Sequence, residues 1–442
     1  MLLNLPEYQI FEEIYEGLNS KVYRGLRKQD NLPLIFKIFA TDFPSVQTIG
    51  RYKLEYEITK NIISDFVINV YDFIQHQNKF IIVLEDIGGE SLANFLNVNQ
   101  LDLIEKLKLA IQISEGIGQI HAANIIHKDI NPSNIIFNPE TQTLKVIDFG
   151  IASDLQKETC ILEQVDILEG TLAYISPEQT GRMNRSLDYR TDLYSMGVTF
   201  YQMFTGQLPF ISNDPLELIH HHLALAPIAP HLINPEIPSI LSEIILKLMS
   251  KTAEARYQSA WGVKADLENC LQQLQTESKI ETFQLAKQDI ADKFLISEKL
   301  YGRAHEVESL LTAFDRVAAI GGSGDRVEMI LISGYSGIGK SRLVQEIYKP
   351  ITKSRGYFIS GKFDQYQRNI PYFAIIQAFQ GLIKQLLTES AEDLSEWRSQ
   401  LIEVLGVNSC MITKVIPSLE LIIGEHNEPR GSETNTLRFA DF

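Results

Sequence analysis

His127-Lys128-Asp129-Ile130-Asn131-Pro132-Ser133-Asn134, followed one short strand pair later by Asp148-Phe149-Gly150, is the stretch from which the rest of the chain can be read. An acid with an amide five positions on, then a second acid before a glycine, is the donor set that phosphoryl transfer from a magnesium nucleotide requires. The first Asp can orient a hydroxyl and take its proton, while the Asn and the second Asp hold metal. Short acidic motifs also arise in turns, where Asp and Asn satisfy backbone groups. Two of them in this order and at this separation favour the chemistry over the turn.

Length and composition bound what the stretch can belong to. With 442 residues the chain exceeds one ordinary domain and suggests two or three. Hydrophobic residues make up 45% and charged ones 22%, the balance of a soluble globular protein with ample core. The net charge of -16 argues against nucleic-acid partners and against a general attraction to anionic membrane, so phosphate binding must be local. Cys160, Cys270 and Cys410 are scattered singly, which gives neither a disulfide framework nor a metal quartet and fits a reducing, cytoplasmic setting. The first residues carry no export signal, and no apolar run reaches the roughly 18 residues that would span a bilayer.

Upstream, residues 9–14, 21–26 and 34–39 read as strands, and 46–63 as a helix with Tyr52, Tyr56 and Ile63 at helical spacing. Residues 79–84 form a further strand. The helix at 101–123 repeats Leu103, Leu107, Ala110, Ile111, Ile113, Ile117 and Ile120, and a short strand at 144–147 presents Asp148. Residues from about 188 to 274 are mostly helical. His220-His221-His222 invites a metal reading, but consecutive residues on a helix point in different directions and cannot converge on one ion.

With the two central motifs in place, this pattern resembles the protein-kinase superfamily, over about residues 8 to 270. The resemblance implies an α+β two-lobed domain, ATP and Mg2+ as cofactors, and protein substrates with Ser or Thr acceptors. It makes Asp129 the catalytic aspartate that orients the substrate hydroxyl, and Asn134 and Asp148 the metal ligands. Lys37 would contact the alpha and beta phosphates and pair with Glu55, with Glu57 in reserve. The loop after the first strand keeps Gly17 of the usual three glycines, Tyr15 and Ser20 standing at the others, and Val22 follows among the nucleotide-binding positions. Leu84 would gate the adenine pocket, the backbone of Glu85 and Ile87 would meet adenine, and Ile35 stands where a small residue is usual. Downstream, Gly170-Thr171-Leu172-Ala173-Tyr174-Ile175-Ser176-Pro177-Glu178 resembles the end of an activation segment, which small-molecule kinases lack. Thr171 is typical of Ser/Thr kinases, Glu178 would pair with Arg256, and Asp192 would buttress the catalytic loop.

Three departures bear on activity. Asn131 replaces a lysine that steadies the transferred phosphate, so restoring lysine is expected to raise the rate. Lys128 replaces an arginine, removing a bidentate clamp for an activation-segment phosphate. Ser133 stands where arginine-directed kinases often carry glutamate, and a capping role suits it better. The depleted glycine loop, Ile35 and Asn131 keep open a pseudokinase scaffold that binds nucleotide without transfer; a nucleotide-driven signalling switch is a further alternative, in which a P-loop nearer the C-terminus would dominate.

Beyond a polar stretch at 271–297, read as a linker or an extension of the last helix, a second resemblance begins at Leu300-Tyr301-Gly302-Arg303, similar to the entry of signal-transducing AAA-type ATPases. Residues 328–333 read as a buried strand leading to Gly334-Tyr335-Ser336-Gly337-Ile338-Gly339-Lys340-Ser341, a full Walker A sequence that opens a helix over 342–348. Gly334, Gly337, Gly339 and backbone amides would cradle phosphate, Lys340 reach the outer phosphates and Ser341 a magnesium ion. After Ser341 no apolar run ends in paired acids; Leu421-Ile422-Ile423-Gly424-Glu425 is the nearest. The reading is therefore a kinase domain at 1–270, with lobes at about 1–86 and 87–270, then an incomplete α/β P-loop NTPase domain at 298–442. The whole resembles the front of large bacterial, especially cyanobacterial, sensor proteins, which carry further sensor and histidine-kinase modules as downstream partners.

Overall fold

Five antiparallel strands, β1 (Tyr8–Glu16), β2 (Ser20–Arg27), β3 (Leu32–Phe39), β4 (Val70–His76) and β5 (Lys79–Glu85), hydrogen-bond in the order β1-β2-β3-β5-β4. The computed structural model describes residues 5–17, 20–39, 46–76, 79–154, 171–180, 187–277, 279–290, 302–318, 327–335, 338–345, 347, 351, 357–363, 372–386, 391–406 and 409–424. Strand alternation sorts the sheet into two faces. Leu34, Phe36 and Ile38 join Ile81, Val83 and Ile10 in a closed apolar layer. Ile35 and Lys37, one residue out of phase, turn to the opposite face. Helix α1 (Val46–Asn61) packs through Tyr52, stacked on Phe39, and Tyr56, tilted against Phe73. Ile63 does not continue this stripe: the helix ends at Asn61, Ile63 is 99% exposed, and Ile58 and Ile62 take the core positions.

A short connection leads from β5 into a helical lobe. Helix α3 (Leu103–Ala122) starts at a capping box, in which Glu105 N donates to Asp102 Oδ1 and Asp102 N donates back to Glu105 Oε2. Its apolar stripe, Leu107, Ala110, Ile113, Ile117 and Ile120, is fully buried. Helix α4 (Arg190–Thr205) is buried on nearly every side and runs through the lobe's centre, which is why Asp192, on its first turn, has no solvent exposure. In α5 (Pro215–Ala224) His221 and His222 of the histidine triplet face different partners. His222 is buried with Nδ1 3.0 Å from the Tyr194 hydroxyl, and His221 Nε2 is 3.7 Å from Glu217 Oε1. Burial, helped by the nearby Lys251 charge, pushes His222 down to about 3.

The last helix of this unit, α8 (Ala260–Glu277), extends past residue 271, and the polar stretch after it lies on the lobe. Ile280 is buried, and Phe283, Leu285 and Ala286 pack against the core. Asp289 accepts from Gln258 N at 2.6 Å and Ser259 Oγ at 2.9 Å, at the start of α8. Gly262 makes room for it, since a Cβ there would lie 2.4 Å from Asp289 Oδ1.

The second unit, residues 302–442, has helices at Ala304–Ala318, Lys340–Gln345, Phe373–Leu386, Ala391–Leu405, Ser409–Val415 and Glu420–Ile423 among its described residues. Ile383, Leu386, Ile416, Leu419, Ile422 and Ile423 form its core. The expected buried strand at 328–333 is not found: residues 327–335 pair with no ladder among the described residues, and Met329 and Leu331 are 91% and 87% exposed. A strand that is apolar on both faces is buried only when a sheet and its covering helices surround it.

Arg256 and Glu178 tie the helical lobe together. Arg256 donates to Glu178 Oε1 at 2.6 Å and Oε2 at 2.8 Å, and to the carbonyls of Arg190 and Ser250, while Thr191 Oγ1 donates to Glu178. Burial works against the charge of Glu178, but Arg256 outweighs it and holds the carboxyl below its ordinary 4.5. Stability from the pair is therefore full above pH 4.5 and is lost as pH falls through the lower folded-state value. Arg256→Met should lower the unfolding free energy at pH 7 by about 3–5 kcal/mol, the cost of leaving a buried charge unpaired. In that variant acid should relieve part of the defect, because the unpaired carboxylate gains by protonation. Denaturant unfolding at pH 7 and pH 5 measures both effects, and a variant as stable as wild type would mean the pair contributes nothing.

Candidate active site

The cleft face of the sheet presents Lys37, which sits opposite Val22 on β2 and Ile82 on β5. Its Nζ is 2.6 Å from Glu55 Oε1 on α1 and 3.0 Å from Asp148 Oδ1. Of the two helix acids, Glu55 is buried and meets the lysine, while Glu57 is exposed. Desolvation alone would lower Lys37, yet the charges of Glu55 and Asp148 raise it above its ordinary value, so the ammonium persists at any relevant pH. Desolvation, with the Asp148 charge, raises Glu55 against the pull of Lys37. For Asp148 desolvation also pushes upward, but Lys37 prevails and keeps the carboxylate ionised.

The loop at residues 127–134 is held from below. Asp192 accepts from His127 N at 2.9 Å, Lys128 N at 2.8 Å and His121 Nε2 at 2.9 Å. Lys128 and Asp148 both adopt left-handed backbone, at φ 69° and 65°, a conformation that surrounding bonds must enforce in non-glycine residues. Asn134 donates through Nδ2 to Asp129 O and Oδ2, both at 2.9 Å, and its carbonyl accepts from Ile147 N at 2.9 Å. The acid, the amide and the strand entering Asp148 are thereby one connected piece. Asp129 Oδ1 accepts from Thr171 N at 2.8 Å.

Asn131 is not an empty substitute for lysine. It is buried, its Nδ2 lies 3.1 Å from Asp129 O and 3.3 Å from Thr171 Oγ1, and its Oδ1 accepts from Ser133 N at 2.9 Å. The expectation that lysine there would help by adding charge ignored these three bonds. A lysine would bury an ammonium and give up the cap on the turn Pro132–Asn134.

At the connection between lobes, Ile35 and Leu84 are cross-strand partners on the cleft face. The Ile87 carbonyl accepts from Asn138 Nδ2 at 2.7 Å, and Arg24 Nε donates to Asp86 Oδ2 at 2.6 Å. The side chain of Glu85 is also engaged, accepting from Lys145 Nζ and Asn69 Nδ2, both at 2.8 Å. Sequence reading passed over Asn69, Lys145, Asn138 and Arg24. For Lys145 a signal existed, a lone charge inside an apolar strand. In the turn after β1, Gly17 N donates to Ser20 O at 2.9 Å and the Tyr15 ring folds over Gly17.

In the second unit, Lys340 Nζ lies 2.7 Å from the carbonyls of both Gly334 and Tyr335, and Gly339 takes left-handed backbone at φ 89°. Gly337, the side chain of Ser341 and Glu425 lie outside the described residues.

A sheet lobe carrying a paired lysine, set on a helical lobe carrying an Asp–Asn couple and a second Asp, is the arrangement of a two-lobed kinase-like fold. Comparison with known proteins gives the family. The model described as Protein kinase domain matches residues 8–271, and the one described as AAA ATPase domain matches residues 299–441. The chain belongs to the protein kinase domain family, and an AAA P-loop ATPase domain follows the kinase domain. It is 32% identical to "Hybrid signal transduction histidine kinase G" of Dictyostelium discoideum over 79% of this chain and 13% of that protein. It is 32% identical to a "Probable serine/threonine-protein kinase" of Clostridium perfringens over 59% of this chain and 38% of the relative. A protein of the same description from Streptomyces coelicolor is 33% identical over 60% of this chain and 40% of its own length. The chain thus spans less than half of each of these relatives.

Asn131→Lys should therefore lower phosphoryl transfer rather than raise it, by about tenfold in kcat, with the KM for ATP nearly unchanged because the side-chain bonds of Asn131 among the described residues are to the loop and Thr171. Steady-state kinetics on a generic protein acceptor check this. A faster variant would restore the charge argument.

Proposed function

We propose that the N-terminal unit is a Ser/Thr protein kinase that moves the gamma phosphate of ATP to protein hydroxyls. The observation that carries this reading is the continuous chain Glu55–Lys37–Asp148, facing an Asp129 whose carboxylate is held by Asn134 and Thr171. The donor set suits magnesium: Asp148 is ionised, and Asn134, its amide nitrogen engaged with Asp129, has its oxygen left for a hard cation. Bound Mg2+ would neutralise charge on the phosphates. Lys37 positions the alpha and beta phosphates, and the backbone of Glu85 and Ile87 receives adenine beside Val22. Asp129 accepts a hydrogen bond from the acceptor hydroxyl and takes its proton as the hydroxyl oxygen bonds to the gamma phosphorus. The bond from that phosphorus to the bridging oxygen breaks, and ADP leaves. Thr171, bonded to both Asp129 and Asn131, supports an acceptor of the Ser/Thr kind.

A second reading, a nucleotide-binding scaffold, is favoured by the Tyr15 ring over Gly17, where phosphate would need room. Asp129→Asn separates the two. It should cut labelled phosphate transfer by about 10³-fold or more and leave nucleotide binding nearly intact, because the Asp acts on the acceptor. Equal labelling by both proteins, or none by wild type, would favour the scaffold.

For the AAA domain we infer nucleotide binding without turnover in this chain. Gly334, Gly337, Gly339, Lys340 and Ser341 supply amides, a cation and a magnesium ligand, and phosphate would replace the two carbonyls that Lys340 now contacts. Alignment of water needs a further acid at the end of a neighbouring strand. Lys340→Ala should reduce the nucleotide stoichiometry of the full chain by one site. On the Asp129→Asn background phosphate release should stay at the blank, and lysine-dependent turnover there would show that an acid closes the site. We also propose a cytoplasmic setting and a place ahead of sensor or histidine-kinase partners; the similarity to a hybrid signal transduction histidine kinase supports the histidine-kinase partner. Among the described residues no helix is long and apolar enough to cross a membrane.

A further inference from the structure

A buried lysine in an apolar strand needs a reason, since apolar packing would serve stability as well or better. Lys145 lies on β9 (Thr143–Val146), three residues before Asp148, and is 6% exposed. Its Nζ donates to Glu85 Oε2 at 2.8 Å and to Val67 O at 3.3 Å. The same Glu85 oxygen accepts from Asn69 Nδ2 at 2.8 Å and Asn69 N at 3.2 Å, and Glu85 N donates back to Asn69 O at 2.9 Å. One carboxylate oxygen thus gathers three segments: the loop after α1, the end of β5 and the strand that leads to Asp148.

The loop after α1 is itself fastened to the helical lobe. Val67 bridges Val146 in parallel register, with Val146 N donating to Phe66 O at 2.7 Å and Ile68 N to Val146 O at 3.2 Å. Ser64 Oγ donates to Gln119 Oε1 at 2.6 Å, and Phe66 packs so close to α3 that a Cβ at Gly116 would be 2.9 Å from it. A turn of the sheet lobe against the helical lobe that carries the end of β5 away from β9 strains the bonds at Glu85.

We propose that Lys145 and Asn69 are positioning residues that act through Glu85 to fix the adenine-receiving connection relative to Asp148, and thereby set nucleotide affinity. The proposal rests on the kinase reading of the cleft. A nucleotide that touches both lobes binds the closed arrangement, so a tether that favours closure raises affinity for ATP and ADP alike. Substitutions at Lys145 or Asn69 alter neither Glu85 nor Ile87, the residues proposed to receive adenine.

The test uses the full chain with Lys340→Ala, so that only the kinase cleft is titrated, and measures Mg-ADP binding by calorimetry. Lys145→Met should weaken binding about tenfold and Asn69→Ala about threefold, the range of one charged and one neutral hydrogen bond. The double variant should be little worse than Lys145→Met, because both act through one oxygen. Lys145→Arg should recover most of the loss. In transfer assays KM for ATP should move more than kcat. Unchanged affinity with a lowered melting temperature would overturn the proposal in favour of a purely structural lysine, as would strictly additive losses. If no variant and no wild type transfers phosphate while the binding losses appear as stated, the kinase reading falls and the tether stands.

Discussion

Asp192 is a carboxylate without solvent, and three donors from two segments converge on it. Burial pushes its pKa up, and the hydrogen bond and charge of His121, with His127, pull it below the ordinary value. An ionised group in that setting demands that its partners stay in place, because each lost donor leaves charge uncompensated in a low-dielectric interior. Two of the partners are consecutive backbone amides, those of His127 and Lys128. The left-handed turn at Lys128 is the conformation that lets both reach one side chain. From there the order passes upward: His127 Nε2 lies 3.0 Å from Ile147 O, and its ring meets Phe149 edge-on, so the residues on either side of Asp148 are fixed by the same anchor.

Much of this was legible in residue types alone. Strands with β-branched and aromatic alternation, a helix with a clean apolar stripe, and charged residues at fixed offsets identify the two lobes, because such patterns are dictated by local periodicity. Interactions between segments far apart in sequence were harder. Lys145, Glu85 and Asn69 belong to three separate segments, and no short motif joins them. Asn131 misled for a related reason: its role is set by Thr171, 40 positions away, and by burial, neither of which charge counting can see. Ile63 fell outside its stripe because the helix ended two residues earlier, and periodicity says little about where a helix stops.

The second unit shows the limit from the other side. Its Walker A glycines and lysine are read with ease, since the motif is local, but the strand expected at residues 328–333 needs a sheet that no described residue supplies. Propensity makes a segment willing to be a strand; only neighbours make it one. The helices around Ile383, Ile416 and Ile422 nonetheless bury a common core.

Similarity to the protein kinase family stops at residue 271, whereas side-chain packing on the helical lobe continues to Asp289. The border drawn by shared ancestry and the border drawn by physics therefore differ by more than a dozen residues. A protease or an experimenter cutting at the first border would strip Ile280 from its seat and uncap the start of α8. The hollow over Gly262 would be left open to water, and a soluble, well-behaved fragment is the less natural outcome of that cut than of one made after residue 290.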